Sequence, residues 1–177
     1  MSKNEIMFKI ITLGDSGVGK TSIIRQYANN IFDESILSTV GVGFAFKELK
    51  LKNKKRIKLK LIDTAGQEKF KSLAKSYFKN VDGVLFVYSF DIHESFENLK
   101  EWIKLFNTSH NGRSGIPMIL VGNKSDLEEE EDQEKNDKYV YDFLEQYKDF
   151  KYYKTSAKEN ISIIIIILIL PKFNNFF

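Results

Sequence analysis

The chain has 177 residues, of which 42% are hydrophobic and 29% are charged, as in one ordinary soluble globular domain. A net charge of +3 is too small to indicate nucleic-acid binding, and the lack of cysteine excludes disulfides and cysteine metal sites. The first five residues lack signal-peptide character and Ser2 excludes N-myristoylation, so we expect a cytoplasmic protein.

The first elements in the chain are a strand, a glycine loop and a helix. Ile6 to Leu13 is almost unbroken apolar, which predicts a strand buried on both faces. Lys20 to Asn29 has helical spacing and places Ile23, Ile24 and Tyr27 on one face.

The loop between them fits the pattern G-x-x-x-x-G-K-[ST] without a mismatch from Gly14 to Thr21. In such a loop backbone N–H groups curl around an anion at the positive end of the following helix. The pattern predicts a nucleotide polyphosphate site in which Lys20 neutralises the outer phosphates and Thr21 binds Mg²⁺. A glycine turn in another α/β unit is the plainer alternative.

The next segments are a loop and a hairpin. Residues 31–43 mix Ser, Thr, Gly and acidic residues with a few hydrophobic ones, which we interpret as a long surface loop and a candidate switch. Phe44 to Lys52 and Lys55 to Ile62 are expected to be antiparallel strands joined at Asn53-Lys54. Two phenylalanines of the first strand are out of phase with its leucines, which predicts a bulge near Lys47.

The hairpin is strongly basic, with eight basic residues and one acidic residue from Lys47 to Lys60. This charge could suit anionic lipid or an acidic partner. The solvated face of a hairpin is the commoner explanation.

Helices and strands alternate through the rest of the chain. The expected elements are a helix at 67–79, a strand at 84–88, a helix at 92–107, a strand at 118–121, an amphipathic helix containing Tyr139 to Tyr147, and a strand at 150–154. We therefore predict an α/β fold with a six-stranded, mostly parallel sheet, one antiparallel edge strand and helices on both faces.

Four polar clusters follow strands that should end on one rim of this sheet, where ligands of such sheets bind. Besides the glycine loop, these are Asp63-Thr64-Ala65-Gly66-Gln67, Asn123-Lys124-Ser125-Asp126 and Ser156-Ala157-Lys158.

The cluster that begins at Asp63 has the groups needed to handle a terminal phosphate. Asp63 can hold Mg²⁺ directly or through water. Gly66 offers a small backbone whose N–H can turn toward the phosphate, and Gln67 carries an amide able to orient water for in-line attack. These residues make hydrolysis chemically possible.

The cluster that ends at Asp126 favours guanine. Its carboxylate can accept two hydrogen bonds from the N1–H and N2–H₂ groups of guanine, a donor pair that adenine lacks. Lys124 can lie along the base plane, and Ala157 is small enough for its backbone N–H to reach the guanine oxygen.

With these motifs in place, the chain resembles a Ras-type small GTPase with the P-loop NTPase fold, over roughly Phe8 to Asn160. Tyr88-Ser89-Phe90-Asp91 and Ser95-Phe96-Glu97-Asn98 are similar to the Rab branch. Gly43 and Ile62 depart from it, since Rab proteins often have Asp and Trp there.

The resemblance implies GTP/GDP and Mg²⁺ as ligands and assigns the site residue by residue. Thr39 would bind Mg²⁺ together with Thr21 and Asp63, and Phe32 would pack against the base. Lys20, Thr39, Gly66 and Gln67 would act in hydrolysis. The nucleotide-binding set would be Gly14, Asp15, Ser16, Gly17, Val18, Gly19, Lys20, Thr21, Ser22, Phe32, Thr39, Asp63, Gly66, Asn123, Lys124, Asp126, Ser156, Ala157 and Lys158.

The expected function is a GTP-hydrolysing switch in vesicle traffic, with slow intrinsic turnover. Its implied partners are an exchange factor, a GTPase-activating protein and effectors that read the two switch loops. We expect a monomer, in the cytoplasm or on the cytosolic face of endomembranes. The alternative is a guanine-nucleotide-dependent binding module with little turnover.

The last residues depart from the family, so we divide the chain into a G domain, 1–160, and an atypical hydrophobic segment, 161–177. Residues 161–170 contain ten residues of which only Ser162 is polar, too few to span a bilayer. The segment has neither a prenylation box nor a cysteine for palmitate, so no lipid anchor is expected. It could be a replacement last helix, a sticky segment, or a truncated or misread gene end, which we favour.

Overall fold

A computed structural model describes residues 6–35, 38–50, 56–110 and 115–164. The strands are β1 (Ile6–Leu13), β2 (Val42–Lys50), β3 (Arg56–Thr64), β4 (Gly83–Ser89), β5 (Met118–Asn123) and β6 (Phe150–Lys154). The helices are α1 (Lys20–Asn29), α2 (Lys71–Lys75), α3 (Glu94–Glu97), α4 (Leu99–Ser109) and α5 (Glu130–Gln146).

The six strands form one sheet in the order β2-β3-β1-β4-β5-β6. Every neighbouring pair is parallel except β2 and β3, which are antiparallel. This confirms the predicted mostly parallel sheet with one antiparallel edge. The carboxyl ends of β1, β3, β5 and β6 consequently meet on one rim.

Alternating side chains of the strands supply two apolar clusters, one on each face of the sheet. In β1, Ile10 belongs to the first cluster and Ile11 to the second. Helix α1 covers the first cluster, and α4 and α5 cover the second. Ile23, Ile24 and Tyr27 are buried together, as their spacing predicted.

The predicted bulge near Lys47 is wrong. The pairing of β2 with β3 runs without interruption from Val42 opposite Thr64 to Lys50 opposite Arg56. The change of phase arises because Phe44 and Phe46 lie on the exposed face, whereas Leu49 packs against the first cluster. The expected turn at Asn53-Lys54 lies outside the described residues.

The helix expected at 67–79 is much shorter than predicted. A 3₁₀ turn at Glu68–Phe70 precedes α2, which ends at Lys75. The following amides bond three residues back, as in Tyr77 N to Ala74 O at 3.0 Å, so the chain continues in tight turns. Of the apolar face expected for this helix, Ala74 and Phe78 are buried, whereas Leu73 is 40% exposed.

The helix expected at 92–107 is present but begins at Glu94 and is divided into α3 and α4 at Asn98. Leu99, Ile103 and Phe106 form its buried stripe.

Near the end of the described chain, Ile163 is only 1% exposed and belongs to the first cluster. The rest of the isoleucine run, from residue 165, lies outside the described residues, and so do the three explanations offered for it. Within the described ranges, no helix is long and apolar enough to cross a bilayer.

Candidate functional site

A cavity of about 390 Å³ opens at the carboxyl rim of the sheet and collects residues from five segments of the chain. Most of the residues predicted for the site line it: Ser16, Gly17, Gly19, Lys20, Thr21, Ser22, Phe32, Thr39, Gly66, Asn123, Lys124, Asp126, Ala157 and Lys158. Six predicted residues do not line it: Gly14, Asp15, Val18, Asp63, Gln67 and Ser156.

Lys20 is the buried cation at one end of the cavity. Its side chain is 5% exposed, and its ammonium donates to the carbonyl oxygens of Gly14 at 2.9 Å and Asp15 at 2.6 Å. Burial lowers the pKa of Lys20 to about 8, although the charges of Asp63 and Asp15 oppose the shift. An arriving phosphate would favour the charged lysine, so this end is suited to an anion.

Three oxygen-bearing side chains, those of Thr21, Thr39 and Asp63, lie together near Lys20. The Thr21 hydroxyl donates to Asp63 Oδ2 at 2.6 Å and lies 2.7 Å from the Thr39 hydroxyl. Asp63 Oδ1 is buried and has no hydrogen-bond partner, and burial raises the pKa of this carboxyl. Oxygen ligands around an unsatisfied buried carboxylate fit a small hard cation such as Mg²⁺.

Gly66 lies against the backbone of the glycine loop. A Cβ added to Gly66 would be 2.2 Å from the carbonyl carbon of Asp15 and 2.3 Å from the nitrogen of Ser16. Only glycine allows this approach, which brings the Gly66 backbone to the phosphate end of the cavity. Gln67 follows directly but does not reach the cavity.

The other end of the cavity carries the groups predicted to recognise a base. The Ser156 hydroxyl donates to Asp126 Oδ1 at 2.5 Å and accepts the Glu159 amide at 3.0 Å. These bonds fix the direction of the Asp126 carboxylate. Lys124, whose backbone is left-handed with φ of 59°, pairs with Asp91 at 2.6 Å.

Asn123 joins the two ends of the site. Its side-chain nitrogen donates to Val18 O at 2.9 Å, and its oxygen accepts the Thr155 hydroxyl at 3.1 Å. A Cβ at Gly19 would lie 2.2 Å from that nitrogen, so glycine is needed at position 19 for the Asn123–Val18 hydrogen bond to form. Asn123 therefore holds the glycine loop against β5 as well as lining the cavity.

Two charged partners at the site were missed by sequence reasoning. Asp91 pairs with Lys124, and Glu34 pairs with Lys158 at 3.2 Å across the mouth of the cavity. Asp91 follows β4, a strand that reaches the same rim, and this position could have revealed it. Nothing in the spacing of Glu34 distinguishes it within a polar loop.

Comparison with known proteins places the chain among relatives of one family. The sequence model of the Ras family matches residues 9–170. Ras-related protein Rab-13 of Bos taurus is 36% identical over 157 residues, which cover 89% of this chain and 74% of that protein. Ras-related protein Rab-11B of Dictyostelium discoideum is 48% identical over 125 residues, covering 71% and 56% respectively. Ras-related protein Rab-8A of Bos taurus is 32% identical over 161 residues, covering 90% and 74%. The chain therefore belongs to the Ras family, and it is similar to the Rab proteins within it.

Proposed function

We propose that this protein is a guanine-nucleotide switch that binds GTP and GDP with Mg²⁺ and hydrolyses GTP to GDP and phosphate. The observation that carries the proposal is one cavity with two chemically different ends. Lys20 and Thr21 supply an anion-binding end, and Asp126 supplies a fixed carboxylate at the other. A purine nucleoside polyphosphate has matching groups at its two ends.

At the phosphate end, Lys20 would neutralise the outer phosphates and the Gly66 N–H would donate to the terminal one. Thr21, Thr39 and Asp63 would hold Mg²⁺, which supplies positive charge against the phosphate oxygens when bound. Gln67 would orient the attacking water after a movement that brings its side chain to the cavity.

Switching would follow from the same contacts. Thr39 belongs to the loop before β2, and Gly66 belongs to the segment after β3. Loss of the terminal phosphoryl group removes what holds both segments, so partners can distinguish the two nucleotide states by loop order. No arginine lines the described part of the cavity, which supports slow intrinsic turnover and acceleration by a partner that supplies one.

By similarity to Rab proteins, we propose a role in vesicle traffic at the cytosolic face of endomembranes. The proposed partners are an exchange factor, a GTPase-activating protein and effectors that contact the two switch segments of a monomer. The division into a G domain at 1–160 and a separate segment at 161–177 stays a prediction.

Phosphate release from protein loaded with one equivalent of GTP tests the proposal. Wild-type protein should release phosphate slowly when Mg²⁺ is added, and Lys20→Met should lose nucleotide binding. Lys148→Met, which removes an exposed lysine far from the cavity, is the matched control and should behave as wild type. Binding without release would favour the alternative of a binding module, and unchanged binding by Lys20→Met would contradict the proposed site.

A further inference from the structure

Asp15 places a carboxylate inside the loop that is proposed to hold phosphates. A fixed negative charge there would oppose the binding of an anion. Both oxygens of this carboxylate accept hydrogen bonds from outside the loop, Oδ1 from Trp102 Nε1 at 2.8 Å and Oδ2 from Asn98 Nδ2 at 2.7 Å. Asp15 does not line the cavity, so the two donors hold its charge on the side of α4.

The backbone of Asp15 contacts the parts of the site that touch the terminal phosphates. Its carbonyl oxygen accepts the Lys20 ammonium at 2.6 Å, and Gly66 packs against its carbonyl carbon. A displacement of Asp15 would therefore move the cation and the glycine together. The two donors, Asn98 at the start of α4 and Trp102 within it, therefore influence the positions of Lys20 and Gly66 as well as the Asp15 carboxylate.

Trp102 also contacts the segment that follows Gln67. Its side chain is fully buried, and the Lys71 ammonium lies 5.1 Å from its ring centroid. Lys71 is the first residue of α2 and pairs with Glu101 at 2.7 Å. Trp102 is the single tryptophan of the sequence, so its fluorescence reports this junction.

We infer that Trp102 and Asn98 are positioning residues that hold the Asp15 charge away from bound phosphates and so favour the triphosphate over the diphosphate. We call Trp102 and Asn98 the Asp15 clamp. Lys71, whose ammonium lies over the Trp102 ring, links the clamp to α2. The inference rests on the proposed nucleotide binding. A released Asp15 carboxylate repels GTP more than GDP, because GTP carries the additional phosphate charge.

A double-mutant cycle tests the clamp. Dissociation constants are measured for fluorescent mant-GDP and a non-hydrolysable mant-GTP analogue with wild type, Trp102→Phe, Asn98→Ala, Asp15→Asn and the Trp102→Phe/Asp15→Asn double variant. We expect Trp102→Phe and Asn98→Ala each to weaken the triphosphate about fivefold more than the diphosphate. In the Asp15→Asn background, Trp102→Phe should no longer change the ratio of the two constants.

The control is Phe150→Leu, which alters a buried aromatic of the same cluster without a bond to the loop. It should lower thermal stability and leave the ratio unchanged. An equal ratio change on Trp102→Phe in both Asp15 backgrounds, or no change in either, would overturn the inference. If wild-type protein binds both nucleotides but the ratios behave in one of these two ways, only the inference fails. If wild-type protein binds neither nucleotide, the proposed function fails as well.

Trp102 emission tests the link through Lys71. Exchange of unlabelled GDP for an unlabelled non-hydrolysable GTP analogue should change the emission of wild-type protein, and Lys71→Met should reduce that change. Equal emission in both nucleotide states, or an undiminished change in Lys71→Met, would overturn the link to α2.

Discussion

Asp126 shows how the site prepares a single residue for recognition. Its carboxylate is oriented by the Ser156 hydroxyl, which is itself held by the Glu159 amide. The carboxylate is therefore held in place before any ligand arrives, which reduces the entropy lost on binding.

The substitution Asp126→Asn should change the preferred base. An amide in place of the carboxylate loses one acceptor for the guanine donors and gains a donor that suits the 2-oxo group of xanthine. We expect GDP affinity to fall by about 100-fold and xanthosine diphosphate affinity to rise, as measured by competition against mant-GDP. Unchanged GDP affinity would remove Asp126 from the site.

The substitution Gln67→Leu should separate binding from turnover. Leucine is similar in size but cannot orient water, so phosphate release should slow by about 100-fold, the low end expected for such a group. The affinity for mant-GDP, measured in parallel, should stay within about twofold of wild type because Gln67 does not line the cavity. Hydrolysis at the wild-type rate would rule out this role.

Single residues also show where sequence patterns stop being informative. The glycine-loop pattern and the N-K-x-D pattern identified residues that the structure collects in one cavity. Neither could show that the Asp15 side chain turns to Trp102, since that contact joins positions 87 residues apart. Local motifs record local geometry, whereas such pairs depend on the folded packing of α4.

At the scale of elements, β2 carries its large aromatics on the exposed face. Phe44 and Phe46 are 45% and 51% exposed, and the ammonium groups of Lys60 and Lys58 lie over their rings at 4.1 and 5.3 Å. These cation–π contacts cover part of each ring. They reduce the cost of exposing the two phenylalanines, so the pairing of β2 with β3 needs no bulge to bury them. Hydrophobic alternation alone could not distinguish this arrangement from a bulge.

The register of β2 makes a measurable prediction about stability. Phe46→Ala should lower the free energy of unfolding by less than about 1 kcal/mol, because the ring is half exposed. Leu59→Ala in the neighbouring β3 should lower it by about 2 to 5 kcal/mol, because Leu59 is fully buried. Urea unfolding of both variants checks this, and a large loss in Phe46→Ala would contradict the outward orientation of its ring.

The strands were easier to predict than the helices. Buried parallel strands are short apolar runs, and β1, β4 and β5 lie where those runs predicted them. The expected strand at 150–154 also forms, as the edge strand β6, although its sequence contains two lysines. The segment around α2 was predicted wrongly because apolar spacing does not distinguish an α-helix from successive tight turns. Ala74 and Phe78 are buried although no continuous helix carries them.

At the scale of the whole molecule, one polar contact joins strands on either side of β5. The hydroxyls of Tyr88 in β4 and Tyr152 in β6 are 3.1 Å apart. Gly122 of β5 lies beneath them, where a Cβ would come within 2.6 Å of the Tyr88 hydroxyl. Burial raises the pKa of Tyr88, and burial raises the pKa of Tyr152 to about 12.

This pair predicts a loss of stability at high pH. The folded pKa of Tyr88 lies above the unfolded value of about 10, so its contribution is complete below that pH and is lost as pH rises further. Between about pH 10 and pH 11, the free energy of unfolding should fall more steeply in wild type than in Tyr88→Phe. The difference in slope is at most about 1.4 kcal/mol per pH unit. Parallel slopes in urea titrations would contradict the buried, protonated phenol.

The whole fold brings the carboxyl ends of β1, β3, β5 and β6 to one rim, and the proposed function requires the loops there to bind one ligand. The most direct test is equilibrium binding of mant-GDP and mant-ADP to the purified protein with Mg²⁺ present. We expect tight binding of mant-GDP and at least about 100-fold weaker binding of mant-ADP, because adenine leaves the Asp126 carboxylate without its donors. Equal affinity for the two nucleotides, or no binding of either, would contradict the proposed function.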